Sequence, residues 1–162
     1  MDFTIEQQLR GSPMAVLDQL LSEEFLAARA ELPKLSGAEV LELTRDDTRA
    51  RVRVRMRFTA RLAPAVTAVV DPDKLTWVDD AAYVLANRAA RHEIQPDHYA
   101  DRLSCTYDEA LHEAGDGTRR TLTGSLKVRA LLVGGRVEGA IVSGLREYTA
   151  AEAELLNRRL QE

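Results

Sequence analysis

Few groups in this chain are suited to chemistry, and their spacing narrows what that chemistry is. The imidazoles are His92, His98 and His112, and the one thiol is Cys105. A single cysteine excludes an internal disulfide, and scattered histidines give no structural zinc spacing, so no metal is expected. Gly134-Gly135, ahead of a helical pattern, lacks the Walker lysine and the spacing of a dinucleotide loop. It reads as the bend that lets a strand enter a helix, and no cofactor is expected.

Side-chain catalysis would need a nucleophile with its base, or paired carboxylates, converging in a cleft. Asp79 and Asp80 are adjacent on a strand and so point to opposite faces. His92 shares the parity of Ala90 and Ile94 and faces inward, whereas His98 follows Pro96-Asp97 in a turn and His112 has the outward parity. Cys105 faces inward, but no basic partner can be assigned to activate it. Tyr107 and Tyr148 are the phenols of interest, because a buried hydroxyl needs a partner and can offer itself to a ligand oxygen. His92, Tyr107 and Tyr148 are thus the candidate proton donors or acceptors if there is a reaction.

The elements that must position these groups follow from periodicity. Phe3, Ile5 and Leu9 alternate with polar residues and predict a first strand. Ser12-Pro13 and Ser22-Glu23-Glu24 are helix starts, predicting a short helix to about Leu21 and another from Glu23 to about Glu31. Glu39 to Thr44 reads as a strand, Asp46-Asp47 as a turn, and Arg49 to Phe58 as a strand with five arginines opposite Ala50, Val52, Val54, Met56 and Phe58. Leu62 to Val70 is ambiguous between loop and helical turn. Leu75 to Asp79, Tyr83 to Ile94, Asp101 to Glu113 and Thr118 to Ala130 read as further strands joined by short turns, which favours antiparallel neighbours. Val133 to Leu160 is a long amphipathic helix with Val137, Ala140, Ile141, Gly144, Leu145, Tyr148, Ala151 and Leu155 on one side, and Arg146, Ala150, Ala153 and Asn157 opposite.

Composition bounds the rest. The 162 residues, 45% hydrophobic and 30% charged, suit one domain spanning 1–162. A formal charge of −4 gives no global reason for nucleic-acid binding. The five-arginine stripe reads as a wet sheet face paired across strands with Glu39, Glu42, Asp79, Asp80 and Glu93, rather than as a phosphate site. No apolar run approaches a membrane span and the first residues do not form a signal sequence, so a cytoplasmic protein is expected. Only Lys34, Lys74 and Lys127 are lysine, and with abundant Ala this points to a GC-rich bacterial source.

The order is strand, two short helices, about six strands and one long helix. A sheet with one dry face must be covered, and the last helix is the only element long enough to do so. The expectation is an α+β helix-grip fold, a curved antiparallel sheet of about six or seven strands around a long C-terminal helix. Phe3-Thr4-Ile5-Glu6 leading to Ser12-Pro13-Met14-Ala15-Val16, and Leu122 to Val128 leading to Val133-Gly134-Gly135-Arg136-Val137-Glu138, resemble the START-like superfamily, also called SRPBCC or the birch-pollen-allergen fold. Leu75-Thr76-Trp77 and the Gly-Gly-x-x-Glu stretch resemble more narrowly an uncharacterised bacterial family within it.

The resemblance implies a cavity beneath the last helix that takes lipids, sterols, polyketides or other apolar ligands. Met56, Phe58, Trp77, Tyr107, Ile141, Gly144, Leu145 and Tyr148 are the residues expected around it. Gly139 and Gly144 inside a helix imply room for ligand or close packing on a strand. The leading expectation is a non-enzymatic binder or carrier of a hydrophobic small molecule. The alternatives are a polyketide cyclase- or dehydratase-like enzyme, and an interaction module without ligand. Neither nucleic acid nor integral membrane association is expected among its partners, and a homodimer is left open.

Overall fold

The computed structural model describes residues 1–33, 35–59, 61–68 and 70–161, with the side chains of all of these but 35–37 and 65. Phe3, Ile5, Gln7 and Leu9 turn one face of β1 (Asp2–Leu9) to the core. Two short helices follow, α1 (Pro13–Leu20) and α2 (Glu23–Ala28). Each starts at a serine whose hydroxyl accepts a backbone N–H, from Ala15 to Ser12 at 3.3 Å and from Phe25 to Ser22 at 3.2 Å. A 3-10 turn, Arg29–Glu31, extends α2.

Six strands come next: β2 (Leu35–Arg45), β3 (Arg49–Phe58), β4 (Thr76–Val84), β5 (Ala89–Pro96), β6 (Leu103–Ala114) and β7 (Gly117–Val128). All neighbours are antiparallel, in the order β1-β7-β6-β5-β4-β3-β2, so the first strand closes against the last. Between β3 and β4 a single helical turn, α3 (Pro64–Thr67), occupies the segment that the sequence left ambiguous; Val69 lies outside the described residues. The chain then enters the long helix α4 (Gly134–Arg159), which packs on β1, β7 and α1.

The seven strands, the two short helices and the long final helix are those of the helix-grip fold. Two boundaries differ from the sequence reading. Leu75 to Asp79 and Tyr83 to Ile94 are not the strands: β4 runs through Asp79-Asp80 to Val84, and the hairpin turns at Leu85–Asn87 with Arg88 in the left-handed region (φ 51°). The sequence reading ended one strand at Asp79 and began the next at Tyr83, whereas the actual turn carries no glycine or proline. The helix face also differs. Val142, Thr149, Glu152 and Leu156 are buried, Ala153 packs against the core and Ala140 is exposed, because one flank of α4 covers β1 and β7 while the other faces open space.

Two apolar clusters hold the domain. Val16, Leu17, Phe25 and Leu26 from the short helices, with Val54, Met56, Leu111 and Leu156, form the larger. Phe3, Ile5, Leu122, Leu126 and Val142 form the smaller, where α4 meets β1 and β7. Each fully buried leucine or phenylalanine stabilises the fold by ~1.5–3 kcal/mol.

Candidate functional site

Between sheet and helix lies a cavity of about 520 Å³, a size suited to a small organic ligand. Its walls are mainly apolar: Val54 and Met56 from β3, Trp77 from β4, Leu122 and Leu126 from β7, Ile141 and Leu145 from α4. Exposed residues mark its mouth, with Arg61 and Lys74 from the β3–β4 connection, His98 and Arg102 from the β5–β6 connection, and Arg129 ahead of α4. Tyr99 Oη accepts the Asp71 N–H at 3.0 Å, and Arg102 O accepts the Arg129 N–H at 2.7 Å, tying the three connections together. Leu131 and Leu132, beside this rim, are 92% and 98% exposed.

All eight residues expected around a cavity line it: Met56, Phe58, Trp77, Tyr107, Ile141, Gly144, Leu145 and Tyr148. A Cβ on Gly144 would meet nothing closer than Phe58 Cε2 at 3.9 Å, so this glycine leaves volume rather than permitting a tight crossing. Tyr107 sits opposite Gly124 in the β6–β7 register. A Cβ there would lie 2.4 Å from that of Tyr107 and 2.3 Å from Thr106 O, so only glycine allows the approach.

One wall is polar, and the sequence reading identified only part of it. Asp79, His92, Glu109 and Arg120 come from four consecutive strands. Directly opposite His92 are Ala81 and Tyr107, and directly opposite Glu109 is Leu122, so each member is displaced by two residues from the direct partner of the next. Such diagonal neighbours lie within reach of long side chains. His92 Nδ1 is 2.9 Å from Asp79 Oδ1 and Nε2 is 3.2 Å from Glu109 Oε2. Arg120 donates to Glu109 Oε2 at 3.0 Å, to Glu152 Oε2 of α4 at 2.6 Å and to Gln7 Oε1 of β1 at 3.2 Å. Gln7 in turn donates to Thr149 O. Arg29, following α2, reaches across: its Nε donates to Tyr148 Oη at 2.7 Å and lies 3.2 Å from Glu152 Oε1. Tyr107 Oη donates to Asp79 Oδ2 at 3.1 Å while its ring stacks on His92, centroids 4.2 Å apart.

These neighbours decide the protonation states. Carboxylates only accept hydrogen bonds, so an imidazole facing one on each nitrogen must carry both protons. Burial opposes a charged His92, but Asp79 and Glu109 outweigh it and raise its pKa to about 9. Burial likewise opposes ionised Asp79 and Glu109; His92 and Arg29 hold Asp79 below its usual range, and Arg120 and His92 bring Glu109 to about 2. Burial pushes the phenols of Tyr107 and Tyr148 up and the Cys105 thiol to about 12, so all three remain protonated. Among the described residues no group of three or more His, Cys, Asp or Glu is disposed to hold a metal ion, and no helix is long and apolar enough to cross a membrane.

Residues 4–160 match the family described as "Protein of unknown function (DUF2505)". The chain belongs to this family. No curated protein matches the sequence of this DUF2505 member, but solved structures match its fold. TTHA0849 from Thermus thermophilus is similar with a TM-score of 0.69 at 18% identity, over 99% of this chain and 97% of that one. The Zhui aromatase/cyclase from Streptomyces sp. R1128 gives 0.68 at 12% identity, over 99% and 93%. Norcoclaurine synthase from Thalictrum flavum gives 0.63 at 13%, over 96% and 86%. These likenesses place the DUF2505 chain in the START-like fold.

Arg29, Glu109, Arg120 and Glu152 were not singled out from the sequence. Glu109 and Arg120 do share the inward parity of Tyr107 and of Leu122, so a signal existed in the two strands. Arg29 and Glu152 carry none, since their burial depends on how α2 and α4 meet. His92, expected inward, is 5% exposed. Asp79 faces the dry side and pairs with no arginine of the β3 stripe, which corrects its assignment as a cross-strand partner; Asp80 takes that role.

Proposed function

We propose that residues 1–162 act as one domain that binds and carries a hydrophobic small molecule. The observation that carries this reading is the cavity of about 520 Å³, apolar on most walls and roofed by α4. Gly144 supports it, because a helical glycine costs ~1 kcal/mol relative to alanine and here leaves the volume unfilled. A neighbour of the same fold, norcoclaurine synthase, is known in complex with dopamine and hydroxybenzaldehyde.

The absence of catalysis is part of the proposal. Both ring nitrogens of His92 face carboxylates and the Tyr107 hydroxyl is directed at Asp79, so neither presents a free proton donor or acceptor to a bound molecule. A second reading, a cyclase- or dehydratase-like enzyme, draws support from the stacked His92 and Tyr107 beside Asp79 on the cavity wall.

Native mass spectrometry of freshly purified protein, with organic extraction of what co-purifies, tests binding. A stoichiometric apolar adduct is expected, and its conversion on incubation would favour the enzyme. Gly144→Leu is expected to abolish the adduct while the protein melts at the same temperature or higher, since leucine fills the space and is the better helix former. No adduct, and no thermal stabilisation by a lipid and polyketide panel, would overturn the proposal.

A further inference from the structure

The polar wall contains an imbalance of hydrogen-bond donors without an imbalance of charge. Arg29 is 12% exposed in its side chain and lines the cavity. Its Nε is engaged by Tyr148 and Glu152, but among the described residues its terminal nitrogens make no hydrogen bond. The nearest carboxylate oxygen to Nη2 is Asp79 Oδ2 at 4.0 Å, beyond hydrogen-bond range. A guanidinium carries five N–H donors, and the terminal ones of Arg29 stand open to the cavity, where a bound acceptor can take them.

The charges nevertheless cancel. Asp79, Glu109 and Glu152 contribute three negative charges, and Arg29, Arg120 and the doubly protonated His92 contribute three positive ones. A carboxylate brought against Arg29 would add a buried negative charge that nothing offsets, and an ammonium would face donors. A neutral oxygen fills the free donors and leaves the balance intact.

We infer that the ligand is an uncharged amphiphile whose oxygen acceptor, a ketone, an ester carbonyl or a hydroxyl, lies against Arg29 at the inner wall while its apolar part fills the cavity. A hydroxyl is doubly suited, because it can return a hydrogen bond to the Tyr148 oxygen beside Arg29. The inference rests on the carrier reading and adds to it both the ligand class and the orientation: polar end inward, apolar end toward the mouth.

The competing orientation would leave an acidic head at the mouth, among Arg61, Lys74, Arg102 and Arg129. Displacement of the neutral fluorescent probe N-phenylnaphthylamine from the full chain separates the two. The competitors are an alkane, a methyl ketone, an alcohol, a fatty acid and an alkylamine of matched chain length at neutral pH. The ketone and alcohol are expected to bind about tenfold tighter than the alkane, the scale of one hydrogen bond to a charged group, and tighter than acid or amine.

Arg29→Met is expected to bring the ketone down to the alkane's affinity and leave the alkane unchanged. Should Arg29→Met fail to fold, Arg29→Lys keeps the charge, removes the fork and is expected to lower ketone affinity alone. Equal binding of alkane and ketone would overturn the inference while the carrier reading stands. Tightest binding of the acid, relieved by Arg129→Glu, would overturn the orientation in favour of the mouth. Failure of the probe and every competitor to bind would remove the carrier reading itself.

Discussion

Asp79 and Asp80 are consecutive residues of one strand, yet they belong to different electrostatic worlds. Asp80 points to the outer face, where it receives Arg51 at 2.7 Å and Arg53 at 3.4 Å; farther along, Arg55 meets Asp97 and Arg57 meets Asp73, each at 3.3 Å. Most of these guanidiniums are half in water, and salt screens them. Asp79 points inward to His92, Tyr107 and Arg29, in a network whose members are nearly all withdrawn from solvent. The same side-chain chemistry is a soluble coat on one face and an architectural commitment on the other. Water can replace a lost partner outside, whereas inside a lost partner leaves a desolvated charge.

The largest test of that contrast is Arg120→Met. It leaves Glu109 with His92 alone and Glu152 with Arg29 alone, one buried positive charge short, and the expected loss is ~3–5 kcal/mol in urea unfolding, a large part of a typical domain's stability. A loss under ~1 kcal/mol would mean that the inner face is as well solvated as the outer one.

The pH dependence comes next. Because the folded pKa of His92 is raised from 6.5 to about 9, its contribution is complete below pH 6.5 and disappears as pH rises through 9. The shift corresponds to ~3 kcal/mol. Glu109 has the opposite sign: lowered from 4.5 to about 2, it stabilises above pH 4.5 and ceases to do so as pH falls through 2. The pair therefore predicts a stability plateau between pH 4.5 and 6.5 with a decline on the alkaline side. His92→Gln should flatten that decline, and a His92 imidazole NMR resonance, assigned by its loss in His92→Gln, that titrates near 6.5 would contradict the buried pair.

The smallest expected effect is that of Arg51→Ala, whose midpoint should fall within the scatter of replicate melts. Raising salt should erase whatever difference Arg51→Ala makes and leave that of Arg120→Met in place.

The same contrast explains what could be read in advance. Parity along a strand is local, so Asp79 and Asp80 could be assigned to opposite faces, and Met56, Trp77 and Tyr107 to the inner one, from sequence alone. The helix-grip order was legible for a related reason, since Ser12-Pro13 and the period of α4 are written in adjacent residues. The partners of a buried charge are not local. Arg29 meets Asp79 and Glu152, and Arg120 meets Gln7, only through the register of distant strands and the seating of α2 and α4. A buried arginine at an inward position resembles an error in the pattern until its acids are placed. The turn at Leu85–Asn87 was missed for the opposite reason: it carries no glycine or proline, and Asn87 alone marks it.

The closure of β1 against β7 has a temporal consequence. Phe3 pairs with Gly124 and Leu9 with Thr118, so a ribosome must add more than a hundred residues after β1 before its partner strand exists. At ~5–20 residues per second, that leaves the edge of β1 without its native partner for roughly 5–25 s. The first strand thus waits for its partner, and during synthesis it is a segment a chaperone would meet.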